Sequence, residues 1–331
     1  MSAPLLSVRD LAVAFSSRGG PVARAVDGVD LEVGSREVVA VVGESGSGKT
    51  TLARTILGLE RPAEGTVEFD GSPLPSTVRG LRAYRRRVQL VLQDPTGSLN
   101  PRQTVYESVA EGIRIHRLVM ESDDATEVDL VDQALTRSGL RPAERFFLRY
   151  PHELSGGQRQ RVVIAGALAL EPDLLIADEP VSSLDASIRG EILALLLRLR
   201  DELGLTVLVI THDLGLAWNI ADRIAVMYLG RLVECGPTER VLADPRHPYT
   251  QALLSVVPEM RHLEPVVLTG EPPDPTRIPD GCRFHPRCPA LADGRAASAG
   301  IDAACRGKPL PVLDTVDHHS AACWLVESPS G

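Results

Sequence analysis

Up to about residue 245, short runs of β-branched and aliphatic residues alternate with longer segments whose apolar positions recur every three to four residues. A short apolar run predicts a buried strand, whereas the longer period predicts an amphipathic helix. The strands predicted in this way span residues 5–15, 29–33, 37–43, 173–178, 205–212 and 223–230. A helix is predicted over residues 188–203, between two of them. Strands that alternate with helices in this order indicate an α/β fold with a largely parallel sheet.

Two stretches depart from this alternation. Between residues 91 and 150 the strand patterns disappear, and helices predicted near residues 105–118 and 128–138 indicate a helical insert. From residue 271 onward the sequence is rich in proline, glycine and cysteine, as in "EPPDPTRIPDGCRFHPRCP", so regular structure should become sparse. We therefore predict one large domain over residues 1–260, with a helical subdomain at about 93–160, and a small C-terminal extension over residues 261–331.

Composition narrows the classes of function. With 331 residues, 44% of them hydrophobic, the chain can bury a substantial core. A net charge of -9 argues against a nucleic-acid partner, because phosphate neutralisation needs a basic face. No apolar run approaches the roughly 20 residues that cross a bilayer, and the opening "MSAPLLSVRD" lacks the pattern of a secretory signal. The sequence therefore favours a cytosolic protein whose cysteines stay reduced.

Residues 43–50 read "GESGSGKT" and fit the phosphate-loop pattern G-x-x-x-x-G-K-[ST] between a predicted strand and a helix. In such a loop, backbone N–H groups wrap around the β-phosphate, and the lysine reaches the β- and γ-phosphate oxygens. The next hydroxyl ligates Mg²⁺, and we expect the threonine after it to contact the α-phosphate. The residues predicted to bind nucleotide here are Gly43, Ser45, Gly46, Ser47, Gly48, Lys49, Thr50 and Thr51. A plain glycine-rich turn is the alternative.

Two acidic residues end a predicted strand in "LLIADEP", residues 174–180. Because side chains alternate along a strand, Asp178 and Glu179 point to opposite faces. Asp178 is then suited to the Mg²⁺ shell, and Glu179 to orient or deprotonate the water that attacks the γ-phosphate. A solvated acidic loop is the alternative. His212, which ends a strand in "VITHD", is a candidate for contact with the same phosphate, although a lone histidine there is more often structural.

A second glycine turn opens a helix in "HELSGGQRQR", residues 152–161. Ser155, Gly156 and Gly157 offer backbone N–H groups and the positive end of a helix dipole, which suit an anion. Taken alone, the segment is equally explained as a serine-capped helix start. The chain thus carries a second phosphate cradle, far from the first in sequence.

Six motifs in order resemble those of the nucleotide-binding subunit of an ATP-binding-cassette (ABC) transporter: "GESGSGKT", "LQDP", "LSGGQ", "LLIADEP", "SSLD" and "ITHD". The resemblance covers roughly residues 5–260 and implies a P-loop NTPase fold of the ABC type, with ATP and Mg²⁺ as ligands. By motif match it implies a Q-loop glutamine at Gln93, which also ligates Mg²⁺, a signature that ends at Gln158, and a D-loop aspartate at Asp185.

The same resemblance assigns catalytic roles. It implies that Glu179 and His212, the switch histidine, act together with Lys49 and Gln93 in hydrolysis. Adenine usually stacks on an aromatic ring near the first strand in this family, and Phe15 is the candidate. A place in the core is the alternative for this phenylalanine.

In proteins similar to this one, two nucleotide domains meet head to tail, and each ATP lies between the phosphate loop of one and the LSGGQ of the other. The second cradle would therefore serve a neighbouring subunit. The resemblance implies as partners a second ABC ATPase subunit, identical or related, two transmembrane permease subunits and an extracytoplasmic solute-binding protein. The chain is then expected at the cytoplasmic face of the cell membrane, held there by the permeases.

Three further segments, "QDPTGSLNPRQTV", "ADPRHPYTQALL" and "GCRFHPRCP", are similar to segments of the subgroup that imports oligopeptides, dipeptides and sometimes nickel. The resemblance thus implies an ATP-hydrolysing subunit of a peptide importer. Import of nickel or another small solute is an alternative, as is a soluble cassette ATPase that acts on nucleic acid or ribosomes. The acidity of the chain, and the lack of a second cassette or a long coiled coil, argue against that last class.

Four cysteines lie in the C-terminal extension, separated by 5, 16 and 17 intervening residues: Cys282, Cys288, Cys305 and Cys323. This spacing differs from the C-x₂-C pairs of ribbon-type zinc sites. Some relatives of the subgroup carry a [4Fe–4S] cluster in this extension, and four thiolates suffice for one. Zinc, with His285, His318 or His319 as substitute ligands, and unligated structural cysteines are the alternatives. Cys235 is expected to be a small core residue.

Overall fold

The computed structural model describes residues 3–16, 20–121, 125–182, 184–257, 265–313 and 319–327. Its strands are β1 (Leu6–Ser16), β2 (Val22–Val33), β3 (Val38–Val42), β4 (Glu64–Phe69), β5 (Ser72–Pro73), β6 (Val88–Val91), β7 (Leu174–Asp178), β8 (Thr206–Thr211), β9 (Arg223–Tyr228), β10 (Arg231–Pro237) and β11 (Ser320–Ala321).

The helices of the first two thirds of the chain are α1 (Lys49–Ile56), α2 (Val78–Arg87), α3 (Pro95–Ser98), α4 (Val105–His116), α5 (Leu118–Glu121), α6 (Glu127–Arg137), α7 (Gly156–Leu168), α8 (Ala186–Leu203) and α9 (Leu214–Ile220). Those that follow are α10 (Thr238–Ala243), α11 (Pro248–Ser255), α12 (Pro289–Ala292), α13 (Arg295–Ser298), α14 (Asp302–Gly307) and α15 (Trp324–Glu327). Short 3₁₀ turns occur at Ala143–Arg145, Pro151–Glu153 and His285–Arg287.

The chain divides into two compact units. The first consists of Met1–Gly34, Val39–Leu74 and Thr211–Gly331, and the second of Ser35–Val38 and Pro75–Ile210. Each unit has strands and helices of its own.

The first unit contains two sets of strands. In one set, β1 lies between β2 and β4 in an antiparallel sheet whose other edge is β5, and Leu6 of β1 lies opposite Val33 of β2. In the other set, β9 pairs in parallel with β3 and antiparallel with β10, which in turn pairs antiparallel with β11. Every residue of β3 is buried, as expected for a strand covered on both faces.

The second unit contains a parallel three-stranded arrangement and a helical layer. Strand β7 lies between β6 and β8, and all three run parallel. The helices α4, α6 and α7 bury a shared apolar cluster, to which each contributes one stripe: Val105, Val109, Ala110 and Ile113 from α4, Val131, Ala134 and Leu135 from α6, and Val162 and Ala165 from α7. Capping boxes at Thr104 and Thr126 fix where α4 and α6 begin.

The structure confirms the α/β fold with a helical insert, and the predicted strands and helices agree with the observed ones to within a few residues at most ends. One expectation was wrong in detail, and one feature was not predicted. The strand predicted at residues 29–33 begins at Val22, because it pairs with β1 along its whole length. The first strands form a separate antiparallel sheet, which the sequence did not predict, and β1 shows the half-buried alternation that accompanies such pairing.

After residue 271 the described structure consists of short helices, the two-residue strand β11, one 3₁₀ turn and irregular segments, so regular structure is sparse, as the composition predicted. None of α12 to α15 exceeds six residues. A small apolar cluster of Ala296, Ile301 and Cys305, with Trp324 packed against it, holds them. Across the described ranges, no helix combines the length and the apolar character needed to span a membrane.

Candidate nucleotide-binding site

The loop of residues 43–50 joins β3 to α1, and two of its glycines have no room for a side chain. A Cβ on Gly43 would lie 2.1 Å from the carbonyl oxygen of Met227, and one on Gly48 would lie 2.1 Å from that of Ala25. Gly48 also caps α1 with a φ of 107°, a conformation that other residues rarely adopt. These glycines let the backbone form the tight turn of a phosphate cradle.

The Lys49 side chain lies inside this loop and is 6% exposed. Its Nζ donates to the carbonyl oxygens of Gly43 at 2.7 Å and Glu44 at 2.8 Å, and lies 3.4 Å from Ser47 Oγ. A compact ammonium with three donors suits acceptors that converge from several directions, whereas a planar guanidinium does not. The loop is thus built around a lysine at this position.

The remaining residues of the loop differ in exposure. Ser45, Gly46 and Thr50 are exposed, and Ser47 is buried. Thr51 is half-buried on the first turn of α1. The tip of the loop and the Thr50 position therefore face solvent, where a nucleotide and its Mg²⁺ have access.

Two more predicted residues belong to the first unit. Phe15 lies near the end of β1 opposite Ala23, and its side chain is 44% exposed, so the alternative of a core position was wrong. His212 follows β8 and is exposed. Asp213 caps α9 by accepting from the Leu216 N–H at 3.0 Å, which fixes the backbone next to the histidine.

The two predicted acids lie at the end of β7 in the second unit and differ in environment. Asp178 is 6% exposed, whereas Glu179 is half-buried. Glu179 has a φ of 50°, in the left-handed region that is uncommon for residues other than glycine. Its N–H donates to the Ile210 carbonyl oxygen at 2.8 Å, which holds the turn. A strained backbone of this kind is typical of a functional position.

The signature segment begins α7 with a capping box. Ser155 Oγ accepts from the Gln158 N–H at 3.2 Å, and Gln158 Oε1 accepts from the Ser155 N–H at 3.0 Å. Ser155 is exposed, Gly156 is half-buried and Gly157 is buried. The serine side chain thus accepts a hydrogen bond from one of the N–H groups at the helix start. Ser155 itself is accessible to solvent.

The predicted D-loop aspartate lies beside this helix start. Asp185 caps α8 by accepting from the Ile188 N–H at 3.1 Å, and this backbone hydrogen bond lowers the pKa of its carboxyl. A Cβ on Gly157 would lie 2.6 Å from Ile188 Cγ2, so the first turns of α7 and α8 are in close contact. The structure therefore brings the signature and the D-loop together.

Gln93 is exposed in the loop between β6 and α3. Asp94, the next residue, caps α3 by accepting from the Thr96 N–H at 2.8 Å. Arg159 of α7 donates to Thr96 Oγ1 at 3.2 Å, which links the glutamine loop to the signature helix. The predicted site residues thus fall into two sets: Phe15, the loop of residues 43–50, Thr51 and His212 in the first unit, and Gln93, Ser155, Gly156, Gly157, Gln158, Asp178, Glu179 and Asp185 in the second.

Contacts to Glu44, inside the phosphate loop, were not anticipated from the sequence. The Glu44 N–H donates to Tyr249 Oη at 2.9 Å, and its carboxylate pairs with Arg287 from the C-terminal extension. Glu44 occupies a position that the loop pattern leaves unspecified, so the pattern predicts no role for this residue. The arginine lies in the segment "CRFHPRC", whose cysteines predicted metal ligands and not a partner for Glu44.

All four C-terminal cysteines line one cavity, together with His247, His285 and Trp324 among others: Cys282, Cys288, Cys305 and Cys323. Burial raises the pKa of each thiol, to about 12 for Cys282 and about 11 for Cys323. Nevertheless, no group of three or more His, Cys, Asp or Glu side chains in the described parts of the chain is placed to hold a metal ion, so the predicted iron–sulfur cluster is not supported.

The histidines named as alternative zinc ligands differ in position. His285 lines the cavity. His319 is buried elsewhere, with Nε2 2.7 Å from Glu234 Oε1, and His318 lies outside the described residues. Cys235 is fully buried in β10, as predicted.

Comparison with known proteins identifies related families and relatives. Residues 26–182 match a family model described as ABC transporter, and residues 233–294 match one described as oligopeptide/dipeptide transporter, C-terminal region. The oligopeptide transport ATP-binding protein AppF of Bacillus subtilis is 43% identical over 298 residues, which cover 86% of this chain and 89% of AppF.

Solved structures of ABC cassettes share the fold. The cbiO1 protein of Clostridium perfringens, part of the ABC transporter complex cbiONQ, is 31% identical with a TM-score of 0.65, over 79% of this chain and 99% of cbiO1. The ATP-binding cassette MJ0796, in a dimeric post-hydrolysis state with ADP and Pi, is 30% identical with a TM-score of 0.62, over 70% of this chain and 98% of that one.

Proposed function

Because this chain belongs to the ATP-binding subunits of ABC transporters, we propose that it hydrolyses ATP to drive the import of peptides through separate permease subunits. The observation that carries this proposal is an intact phosphate loop around Lys49 in a chain that also presents a capped signature helix at Ser155. The 43% identity to an oligopeptide transport ATP-binding protein supports peptides as the solute class. Nickel or another small solute of the same subgroup is the alternative.

The residues of the first unit would bind the nucleotide. The N–H groups of the phosphate loop surround the β-phosphate, and the Lys49 ammonium neutralises the β- and γ-phosphate oxygens. Thr51 would contact the α-phosphate. The exposed ring of Phe15, near the end of β1, is available for stacking on the adenine. His212, exposed after β8, would contact the γ-phosphate.

The residues of the second unit would complete the chemistry. Asp178, with the Thr50 hydroxyl and Gln93, would hold Mg²⁺, which would supply positive charge beside the phosphate oxygens. The Glu179 carboxylate would orient the attacking water and accept its proton. The different burial of the two carboxylates suits these two roles.

The signature segment would act on a nucleotide held by a second ATPase subunit. A helix start with a serine cap and two glycines presents N–H groups and a partial positive charge to an anion. Asp185, which caps the adjacent helix, would lie at the same face. A head-to-tail pair would then contain two composite sites, each with the loop of one subunit and the signature of the other. The MJ0796 cassette, which is dimeric in a post-hydrolysis state with ADP and Pi, supports the pairing of two such subunits.

Permease subunits and a solute-binding protein complete the proposed assembly. Exposed apolar side chains occur beside Gln93 and elsewhere in the helical insert: Leu92, Ile115, Val128 and Leu148. Such side chains offer a surface for a permease segment, and its contact with the glutamine loop would transmit the state of the γ-phosphate. The chain would be peripheral, at the cytoplasmic face of the membrane.

Replacing the proposed base tests the function. Glu179→Gln keeps the shape of the side chain but cannot accept a proton, so it should bind ATP, lower phosphate release by at least about 100-fold and trap a dimer. Size-exclusion chromatography with ATP and with ADP measures the dimer, and phosphate release measures turnover. The control is Glu239→Gln, the same change at an exposed position of α10. Rapid turnover by Glu179→Gln would refute the role.

For the C-terminal extension, which we place at residues 261–331, we propose that the four cysteines that line the cavity hold a [4Fe–4S] cluster. A thiol that burial keeps protonated ionises when a cation compensates its charge. The neutral ring of His247, whose pKa burial lowers to about 4, accepts the Tyr249 N–H at Nδ1 and so carries its proton at Nε2. Among the residues that the structure describes, that buried Nε2 has no hydrogen-bond partner, which fits a group with acceptor sulfurs.

The absorption spectrum of the anaerobically purified chain tests the cluster. We expect a brown protein that absorbs near about 400 nm, and loss of the colour in Cys282→Ser. Cys235→Ala, at the cysteine that does not line the cavity, should keep it. Metal analysis that returns only zinc, or no metal at all, would overturn the proposal.

A further inference from the structure

The stretch of residues 282–288, "CRFHPRC", carries two cysteines and two arginines that contact different parts of the first unit. Cys282 and Cys288 line the cysteine cavity. Arg283 contacts the Asp27 carboxylate and the Leu229 carbonyl oxygen, next to the loop that follows β9. One short stretch of the C-terminal extension thereby lines the cavity and also contacts Asp27 and Leu229, elsewhere in the first unit.

The second arginine contacts the phosphate loop itself. Arg287 Nη1 lies 2.9 Å from Glu44 Oε2, and Arg287 Nη2 lies 3.3 Å from Glu44 Oε1. The Arg287 side chain is 8% exposed and that of Glu44 is 26% exposed, so water screens this pair only partly. A guanidinium that meets both carboxylate oxygens fixes the orientation of the glutamate as well as its distance.

Glu44 is in turn attached to the loop lysine. The Glu44 carbonyl oxygen accepts from Lys49 Nζ at 2.8 Å, and the Glu44 N–H donates to Tyr249 Oη at 2.9 Å. The glutamate is therefore held at its N–H, its carbonyl oxygen and its carboxylate. Loss of the contact at the carboxylate is therefore expected to shift the carbonyl oxygen that positions the Lys49 ammonium.

We propose that Arg287 is a positioning residue for ATP binding: by holding the Glu44 carboxylate, it fixes the second residue of the phosphate loop and thereby the Lys49 ammonium. The inference rests on the proposed function, in which this loop binds ATP. Packed rings support the contact, because Tyr228 and Tyr249 lie 4.7 Å apart between ring centroids and both pack against Phe284 of the same stretch. The C-terminal extension thus contributes to the nucleotide site through its contact with Glu44.

Equilibrium titration of the purified full chain with a fluorescent ATP analogue and Mg²⁺ tests the inference. Arg287→Ala should raise the Kd on the order of tenfold, as expected for the loss of a charged hydrogen-bonded pair. The Kd of Arg287→Lys should lie between that of Arg287→Ala and that of the wild type, because lysine keeps the charge but cannot meet both carboxylate oxygens as the planar guanidinium does. Arg295→Ala, which removes an exposed pair with Asp293, is the matched control and should leave the Kd unchanged.

A double-mutant cycle separates positioning from general damage to the fold. Glu44→Gln changes the loop without altering the C-terminal extension and should raise the Kd as much as Arg287→Ala does. The double variant should then bind no more weakly than either single variant, since both remove the same interaction. Additive losses, or a wild-type Kd in either single variant, would overturn the inference. A wild-type chain that does not bind ATP would overturn the proposed function instead.

Discussion

At the scale of single residues, Lys49 has a natural internal control. The chain contains one other lysine, Lys308, which is exposed in the C-terminal extension. Lys49→Ala should reduce ATP affinity at least about tenfold, because it removes the one ammonium inside the phosphate loop. Lys308→Ala should leave it unchanged. Titration of both variants with the same ATP analogue checks this, and unchanged binding by Lys49→Ala would remove the lysine from the proposed site.

Residues within a local motif could be predicted from the sequence, and residues that depend on a distant partner could not. The loop glycines follow from a pattern of eight positions, and the close approaches at Gly43 and Gly48 show why that pattern needs them. The contact between Glu44 and Arg287 joins positions 243 residues apart. Only the folded chain shows that a variable position of the loop has a charged partner.

At the scale of elements, the junction of α7 and α8 limits what the signature segment tolerates. Gly157→Ala places a methyl group against Ile188 Cγ2, and overpacking of this kind costs about 1–3 kcal/mol. Gly190→Ala, within α8, meets open space and should instead stabilise the helix by up to about 1 kcal/mol. The melting temperature should fall in the first variant and rise in the second. Equal melting temperatures of the two variants would show that Ile188 of α8 shifts to make room for the added methyl group at little cost.

The predicted elements differ in how clearly the sequence marks them. The strand β3 reads "VVAVV" and is buried throughout, so its apolar run was sufficient to predict a buried strand. The strand β4 reads "EGTVEF" and was not predicted, because only Val67 and Phe69 are buried and the other positions are polar or glycine. It forms through pairing with β1, which is a property of the sheet and not of the segment.

At the scale of the whole molecule, two inactive variants with different substitutions should recover ATPase activity when they are mixed. Lys49→Ala disables the phosphate loop and leaves the signature intact, whereas Ser155→Arg does the reverse. In a mixed head-to-tail pair, one of the two composite sites has an intact loop and an intact signature. ATPase activity should therefore recover in part on mixing, under conditions in which the wild-type chain is active, while each variant alone is inactive.

The control for this mixture is a single chain that carries both substitutions. Mixed with the Lys49→Ala chain, it provides no intact loop, so activity should stay absent. Recovery in the control, or its absence in the test mixture, would contradict a composite site. The segments themselves predicted two cradles in one chain, whereas the pairing of subunits, a property of the assembly, was implied only by the resemblance to ABC transporters.

The left-handed backbone at Glu179 makes glutamate unfavourable for the stability of the fold at a position where we propose that its carboxylate is needed for activity. A glycine at this position would relieve a backbone cost of about 1–2 kcal/mol, because it adopts positive φ without a Cβ clash. A library varied at residue 179 and selected only for survival on heating should therefore enrich glycine or asparagine. The enriched variants should no longer release phosphate from ATP. Retention of glutamate in such a selection would contradict the proposed backbone cost, because the chemistry of the carboxylate is not under selection there.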